Sequence, residues 1–365
     1  MRAGLLILSL IAPLSMSMPA AAACHVSSAP FGTMRDGRKV GIWRIDDGAI
    51  SASVLTLGGI LHDLNVPDAK GRRANVVRNL DSLAAYEARP NVSSLIGRYA
   101  GRIGDGGVTI DGRFYPLPGN AKGVITHGGK DSFGSRLWSA RRLKTGCGIE
   151  LSYVSPDGDN GFPGALGVSV RYSLKNKALR LDYTARTTKT TVVNLTDHAY
   201  FNLSGHGDVY NQTLRIPASH YLPLDTLHLP SGEIAPVSGD YDWRAGKPLG
   251  DGQKLDDTFV LEGSGLKLAA ILSDPASDLR LTVRTTQPAL VVYTASGFNG
   301  SLKDAKGDPL VAGAGVALET QGFPDAPNHS NFPSTELRPG ETYRQTTIFD
   351  FNSFSSPSHG EVIGR

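Results

Sequence analysis

Cysteine is scarce in this 365-residue chain, which has only Cys24 and Cys147. Two distant thiols cannot form a zinc framework, and none of the nine histidines falls in a His-x-His or HExxH pair. No cofactor motif stands in their place, and no Gly-x-Ser-x-Gly elbow marks a hydrolase serine. A charge excess is also missing. Lys and Arg total 37 against 34 acids, a net +3 without any basic block to neutralise a run of phosphates, so nucleic acid is not an expected partner. Helical periodicity is nearly absent, the best stretch being Ser82 to Ala88. The one long apolar run, Leu5 to Leu14, is shorter than the roughly 20 residues a bilayer needs and is interrupted by Pro13.

That run follows Arg2 and precedes the small residues Ala20 to Ala23, which reads as a signal peptide over residues 1–23. The expectation is an exported protein, periplasmic or secreted, with no stable membrane insertion after cleavage. Cleavage before Cys24 would resemble lipoprotein processing, although Ala21 sits where such signals carry a larger aliphatic residue. Two readings of the cysteines stay open. In an oxidising compartment they pair; otherwise Cys24 is a terminal thiol and Cys147 a buried one.

Glycine and proline are plentiful, at 43 and 22, which suits frequent turns between short strands. Val168, Val170, Tyr172 and Leu174 alternate with Ser169, Arg171 and Ser173, the pattern of a half-buried strand. After Lys175, Asn176 and Lys177 the alternation resumes at Leu179, Leu181 and Tyr183, predicting a hairpin; Leu279, Leu281 and Val283 repeat it. From about Ala29 onward no long polar linker, low-complexity tract or fixed-period repeat divides the chain, so residues 24–365 are expected to form a single domain. The expected fold is all-β, a single large antiparallel β-sandwich with few short helices.

The segments GGILHDLNVPDAKGRRANVVRNLDSLAAYE, IGRYAGRI, THGG, NLTDHAYFNL, TTQP and LETQGFPDAPNHSNFPS occur in this order between Gly58 and Ser334. As an ordered set they resemble the aldose 1-epimerase (galactose mutarotase) family, whose sandwich fold the resemblance extends to this chain. It implies interconversion of the α and β anomers of a free aldohexose such as galactose or glucose, without a cofactor. One group takes the proton from the anomeric hydroxyl and another protonates the ring oxygen, so the ring opens, the aldehyde turns and the ring closes again.

By this resemblance His198 in NLTDHAYFNL is the general acid and Glu319 in LETQGFPD the general base. His127 in THGG, Arg102 in GRYAGRI, Asp256 in LDDTFVL and Gln287 in TTQP would bind sugar hydroxyls, while Arg98 is structural. The chain departs from the family's pattern at Gly101, where Asn is frequent, at Asp257 and Thr258, and at Gly322. The aromatic rings of Tyr99, Tyr200, Phe201, Phe298 and Phe323 could pack against the apolar face of a pyranose, but Tyr and Phe alternating along a strand are explained as core, and none is entered as a site. Three other readings share the scaffold: a sugar-binding sandwich without turnover, a glycosidase using Asp256 and Glu319, and a hexose-6-phosphate epimerase. The last would need several convergent cations, and none is evident beside the motifs.

Overall fold

The structure, a computed structural model, describes residues 24–250 and 254–353. The signal-peptide reading of residues 1–23 lies outside the described residues.

Alternation becomes structure where it was clearest. Leu166–Lys175 and Ala178–Thr187 pair antiparallel, with Leu174 opposite Leu179 and Lys175 opposite Ala178. Asn176 and Lys177 both have positive φ, 53° and 62°, the left-handed pair that a two-residue hairpin turn requires. The one α-helix among the described residues, Leu83–Ala88, starts where Ser82 accepts a hydrogen bond from the Ala85 N–H at 3.3 Å. No described helix is long and apolar enough to cross a membrane.

Two large antiparallel sheets dominate. Nine strands run from Ser139–Arg142 across to Lys247–Pro248, with Tyr343–Ser353 at the centre. The other sheet has six strands, in the order Tyr200–Phe201, Val316–Gln321, Ala289–Tyr293, Asp256–Val260, His220–Leu222 and Ala235–Pro236. Their inner faces meet in one apolar cluster, where Leu290, Val292, Leu318 and Phe201 pack with Tyr172, Leu181, Val283 and Phe349. This is the expected β-sandwich. A five-stranded sheet beginning with His25–Thr33 and Lys39–Asp46 lies beside it.

Successive strand residues point to opposite faces, so burying Leu318 and Thr320 between the sheets turns Glu319 and Gln321 outward. The Thr320 and Thr347 hydroxyls meet at 2.6 Å, which ties that phase to the opposite sheet. The outward face of the six-stranded sheet is the floor of the site. Cys24 and Cys147 form a disulfide with Cα atoms 5.4 Å apart, which decides between the two cysteine readings.

Candidate active site

Strand register sets out the floor in rows. Thr258, Val291 and Glu319 are direct neighbours across three strands, and Asp256, Tyr293, Ala317 and Tyr200 form the next row. Over them lies a pocket of about 280 Å³ whose lining includes Arg102, His127, His198, Asp256, Glu319 and Gln321. Such a volume sits at the small end of ligand pockets, about 300–1,000 Å³, and suits one small ring.

Each side chain is delivered by a short ladder. Thr196–Asp197 pairs with Leu95–Ile96, and the His198 N–H donates to the Ser94 carbonyl at 2.9 Å, which holds the imidazole over the floor. Its Nε2 is 3.4 Å from Glu319 Oε1, both side chains being almost fully buried. Thr126 pairs with Arg102, so His127 and Arg102 share one rim. The His127 N–H donates to the Gly101 carbonyl at 2.8 Å, and the Gly101 N–H returns a bond to His127 Nδ1 at 3.3 Å. The adjoining Gly128 is required, because a Cβ there would fall 2.3 Å from the Gly97 carbonyl oxygen. Arg102 Nη2 meets Asp256 Oδ2 at 2.9 Å.

Burial sets the charges. It pushes the Glu319 carboxyl well above the usual range, with Asp256 adding to the rise and Arg102 opposing it. Burial lowers His198 to about 4, against a smaller upward pull from Asp256, and holds His127 well below its ordinary value, helped by His198 and Arg102. Neutral His127 accepts at Nδ1, so its proton sits on Nε2. Ligand atoms of His127, His198 and Glu319 lie within 4.8 Å of one another, a set able to surround a cation in outline. In the tautomer fixed by Gly101, however, neither nitrogen of His127 has a free lone pair, so the trio is a poor fit to a metal.

Several buried polar atoms here have no hydrogen-bond partner within the chain: Glu319 Oε2, His198 Nδ1 and both amide atoms of Gln321. Native proteins rarely leave such groups unsatisfied, so water or a polar ligand would complete them.

Of the six residues expected at the site, five line this pocket: Arg102, His127, His198, Asp256 and Glu319. Gln287 does not. It lies two residues before the Ala289–Tyr293 strand, its N–H bonded to Thr285 Oγ1 at 3.1 Å, and the pocket-facing positions on that strand are Val291 and Tyr293. Two other amides do line the pocket, Gln321 and Asn91, neither of them among the residues expected from sequence. Tyr200 lines the pocket, the first of the two readings open for it, and Tyr293, Thr258, Asn91 and His228 join it. Tyr99 is core, donating through its hydroxyl to the Phe323 carbonyl at 2.9 Å. Arg98 is structural, its buried guanidinium bonding the Pro163 and Gly164 carbonyls at 2.9 Å each.

The departures from the family pattern sort by face. Asp257 alternates away from the floor, and Gly322 packs against Asn194 and Thr335 outside the pocket, so neither reshapes its wall. Gly101 does line it, and a side chain there would abut Gln321 Nε2, 3.1 Å from an added Cβ.

A large antiparallel β-sandwich with a small polar pocket on one sheet face, floored by buried titratable groups, sets the class of fold, and the fold alone does not fix the reaction. Comparisons with known proteins narrow it. Residues 41–350 match the family model for aldose 1-epimerase. The galactose mutarotase of Rattus norvegicus is 38% identical over 341 residues, 90% of this chain and 98% of its own length. The aldose 1-epimerase of Escherichia coli (strain K12) is 32% identical over 324 residues, 84% of this chain and 93% of its own. Among solved structures, galactose 1-epimerase from Lactobacillus acidophilus NCFM superposes with a TM-score of 0.80 at 27% identity, over 91% of this chain and 99% of that one. The chain belongs to the aldose 1-epimerase family and is an enzyme of the isomerase class.

Proposed function

We propose that the protein interconverts the α and β anomers of free aldohexoses, galactose and glucose among them, with Glu319 as base and His198 as acid. The observation that carries this is the contact between two buried titratable groups, 3.4 Å apart, amid unsatisfied polar atoms in a pocket the size of one ring. Burial drives both groups towards their neutral forms, so the empty pair holds one proton, on Glu319. Passing it across the contact creates carboxylate and imidazolium without changing the pair's charge. Ring opening then takes the anomeric proton onto Glu319 and gives the His198 proton to the ring oxygen, which restores the neutral forms. Opening therefore discharges an ion pair that the dry pocket disfavours, and closure on either face of the turned aldehyde reverses both transfers. His127 donates through Nε2–H, while the Arg102–Asp256 pair and Gln321 are placed to bind hydroxyls.

A glycosidase would need Asp256 as a second working carboxyl, but Asp256 is engaged by Arg102, and it is His198 that faces Glu319. A phosphosugar pocket would need spare cations; among the described lining residues Arg102 is the only Lys or Arg, and it is already paired. Export is likewise our proposal. The Cys24–Cys147 disulfide fits an oxidising compartment, and a sulfur in that bond cannot also carry a thioether-linked lipid.

Polarimetry of freshly dissolved α-galactose and α-glucose with the purified mature protein, beside His198→Ala, tests the reading. Faster decay only with wild type supports it. No acceleration with sugar binding retained would mean a lectin, and cleavage of methyl galactoside would mean a glycosidase.

A further inference from the structure

The catalytic pocket occupies the outward face of the six-stranded sheet, and the outward face of the nine-stranded sheet has a different character. Six neighbouring strands of it, from Ser139–Arg142 to Leu279–Thr285, bury one set of alternate residues and turn the other to solvent. Arg171 and Lys175 project from Leu166–Lys175, Arg180 and Arg186 from Ala178–Thr187, and Arg344 from Tyr343–Ser353. Arg141, Arg280 and Arg284 continue the set on the flanking strands, and only Glu150, Asp182 and Asp350 oppose it. Eight cations against three acids give this face a net +5, so with +3 for the whole chain the remainder is negative. Glu150 is shared between Arg141 and Arg171, their Nε atoms 3.1 and 2.7 Å from its carboxylate. Arg186 and Arg344 are exposed and enter no ion pair among the described residues.

Two hollows lie on this face. In one, of about 510 Å³, Ser139, Ser152, Ser169 and Thr184 stand in register across four strands, with Arg186 beside them and Arg344 next in the row. The other, of about 740 Å³, is lined by Arg171, Lys175 and Arg180. Ser169 in the first and Ser173 in the second are four residues apart on one strand, about 13 Å, so the hollows are neighbours.

We propose that this face is a binding site for a polyuronate, a polysaccharide whose sugars carry carboxylates. Charge complementarity brings such a chain to the face, and the fork of arginine holds its carboxylates. The face already shows that grip: Arg180 takes both oxygens of Asp182, each at 2.7 Å. The row of Ser and Thr hydroxyls is placed to bond sugar hydroxyls between the charged groups. A hollowed surface follows a flexible chain better than it meets a flat bilayer. No outward position on the six strands is aromatic, so single-stranded nucleic acid has no ring on which to stack. Because the catalytic pocket opens from the other sheet, the protein can hold polysaccharide and hexose at once, and the site does not depend on what the pocket does.

Binding of labelled polygalacturonate to the purified mature protein, with excess glucose present to fill the catalytic pocket, tests the site. The expected result is binding that weakens at least about tenfold between about 50 and about 500 mM salt, with none to neutral dextran. Arg186→Ser combined with Arg344→Ser should weaken it about three- to tenfold. Lys122→Ser combined with Lys306→Ser lowers the net charge equally in loops away from the face, before Ile125–Thr126 and Pro309–Val311, and should change the affinity less than about twofold. Polarimetric rates on glucose should match wild type in both double variants, since none of the four residues lines the pocket. Absence of binding, or equal losses in the two double variants, would overturn the site. Tighter binding of dextran sulfate, duplex DNA or phosphatidylglycerol vesicles at equal charge concentration would overturn the polyuronate as its occupant.

Discussion

Glu319 and His198 share a contact but not a duty, and replacing one atom separates catalysis from binding. Glu319→Gln keeps the shape and the hydrogen-bonding oxygen yet cannot take a proton, so kcat should fall by about 10² to 10⁴ while the hexose Kd changes only a few-fold. The pair works with one proton between its members. Below about 4, where His198 titrates, a second proton arrives and the base is lost; at alkaline pH the last proton leaves and the acid is lost. A kcat/KM profile should therefore be bell-shaped, with its acid limb near pH 4 and its alkaline limb well above the ordinary glutamate range. Asp197, beside the acid in sequence, makes a different prediction. Its Oδ1 accepts the Ala199 N–H at 2.9 Å, its Oδ2 has no partner, and burial raises its pKa from 3.8 to about 7. The folded state thus holds a proton that the unfolded chain releases above 3.8, so this group lowers stability as pH rises through that window, up to about 7. Asp197→Asn removes the term, and melting curves should show the variant gaining on wild type at pH 8 but not at pH 3.5.

The six-stranded sheet explains both what could be read from sequence and what could not. Alternation in Leu166–Lys175 was legible because one face is apolar and the other polar, and Asn176 marked its turn. The Val316–Gln321 strand is different: all six residues are buried, Leu318 and Thr320 against the core and Glu319 and Gln321 against a pocket. A polar residue on such a strand reads the same whether it meets a ligand or a neighbouring strand. His198, Glu319 and Gln287 were all found because the segments around them resemble a family's, but the segment around Gln287 is only four residues long. Gln287 stands four residues, about 13 Å of strand, from the pocket-facing Val291. Register alone shows that Gln321 faces the pocket. Since no protein group bonds its side chain, Gln321→Leu should weaken hexose binding about tenfold in calorimetry yet melt no lower than wild type. A clear fall in melting temperature would instead give Gln321 a structural role.

Over the whole molecule, the Cys24–Cys147 bond joins residues 123 apart and fastens the start of the first described strand, His25–Thr33, to the start of Cys147–Ser155, the second strand of the nine-stranded sheet. That strand pairs with Lys39–Asp46 on one side and packs against the short helix Leu83–Ala88. Closing so long a loop removes much freedom from the unfolded chain, typically about 2–4 kcal/mol of stabilisation. Cys147→Ser should accordingly lower the melting temperature by about 5 °C, and Cys24→Ser by the same amount. The double variant should be no worse than either, because both single changes remove the same bond. Neither cysteine lines the pocket, so polarimetric rates at 25 °C should match wild type in all three variants. Hydrogen exchange should localise the loss, with faster exchange over residues 25–33 and little change at residues 316–321. Equal loosening of both segments would mean that the bond supports the sandwich as a whole rather than its N-terminal strand.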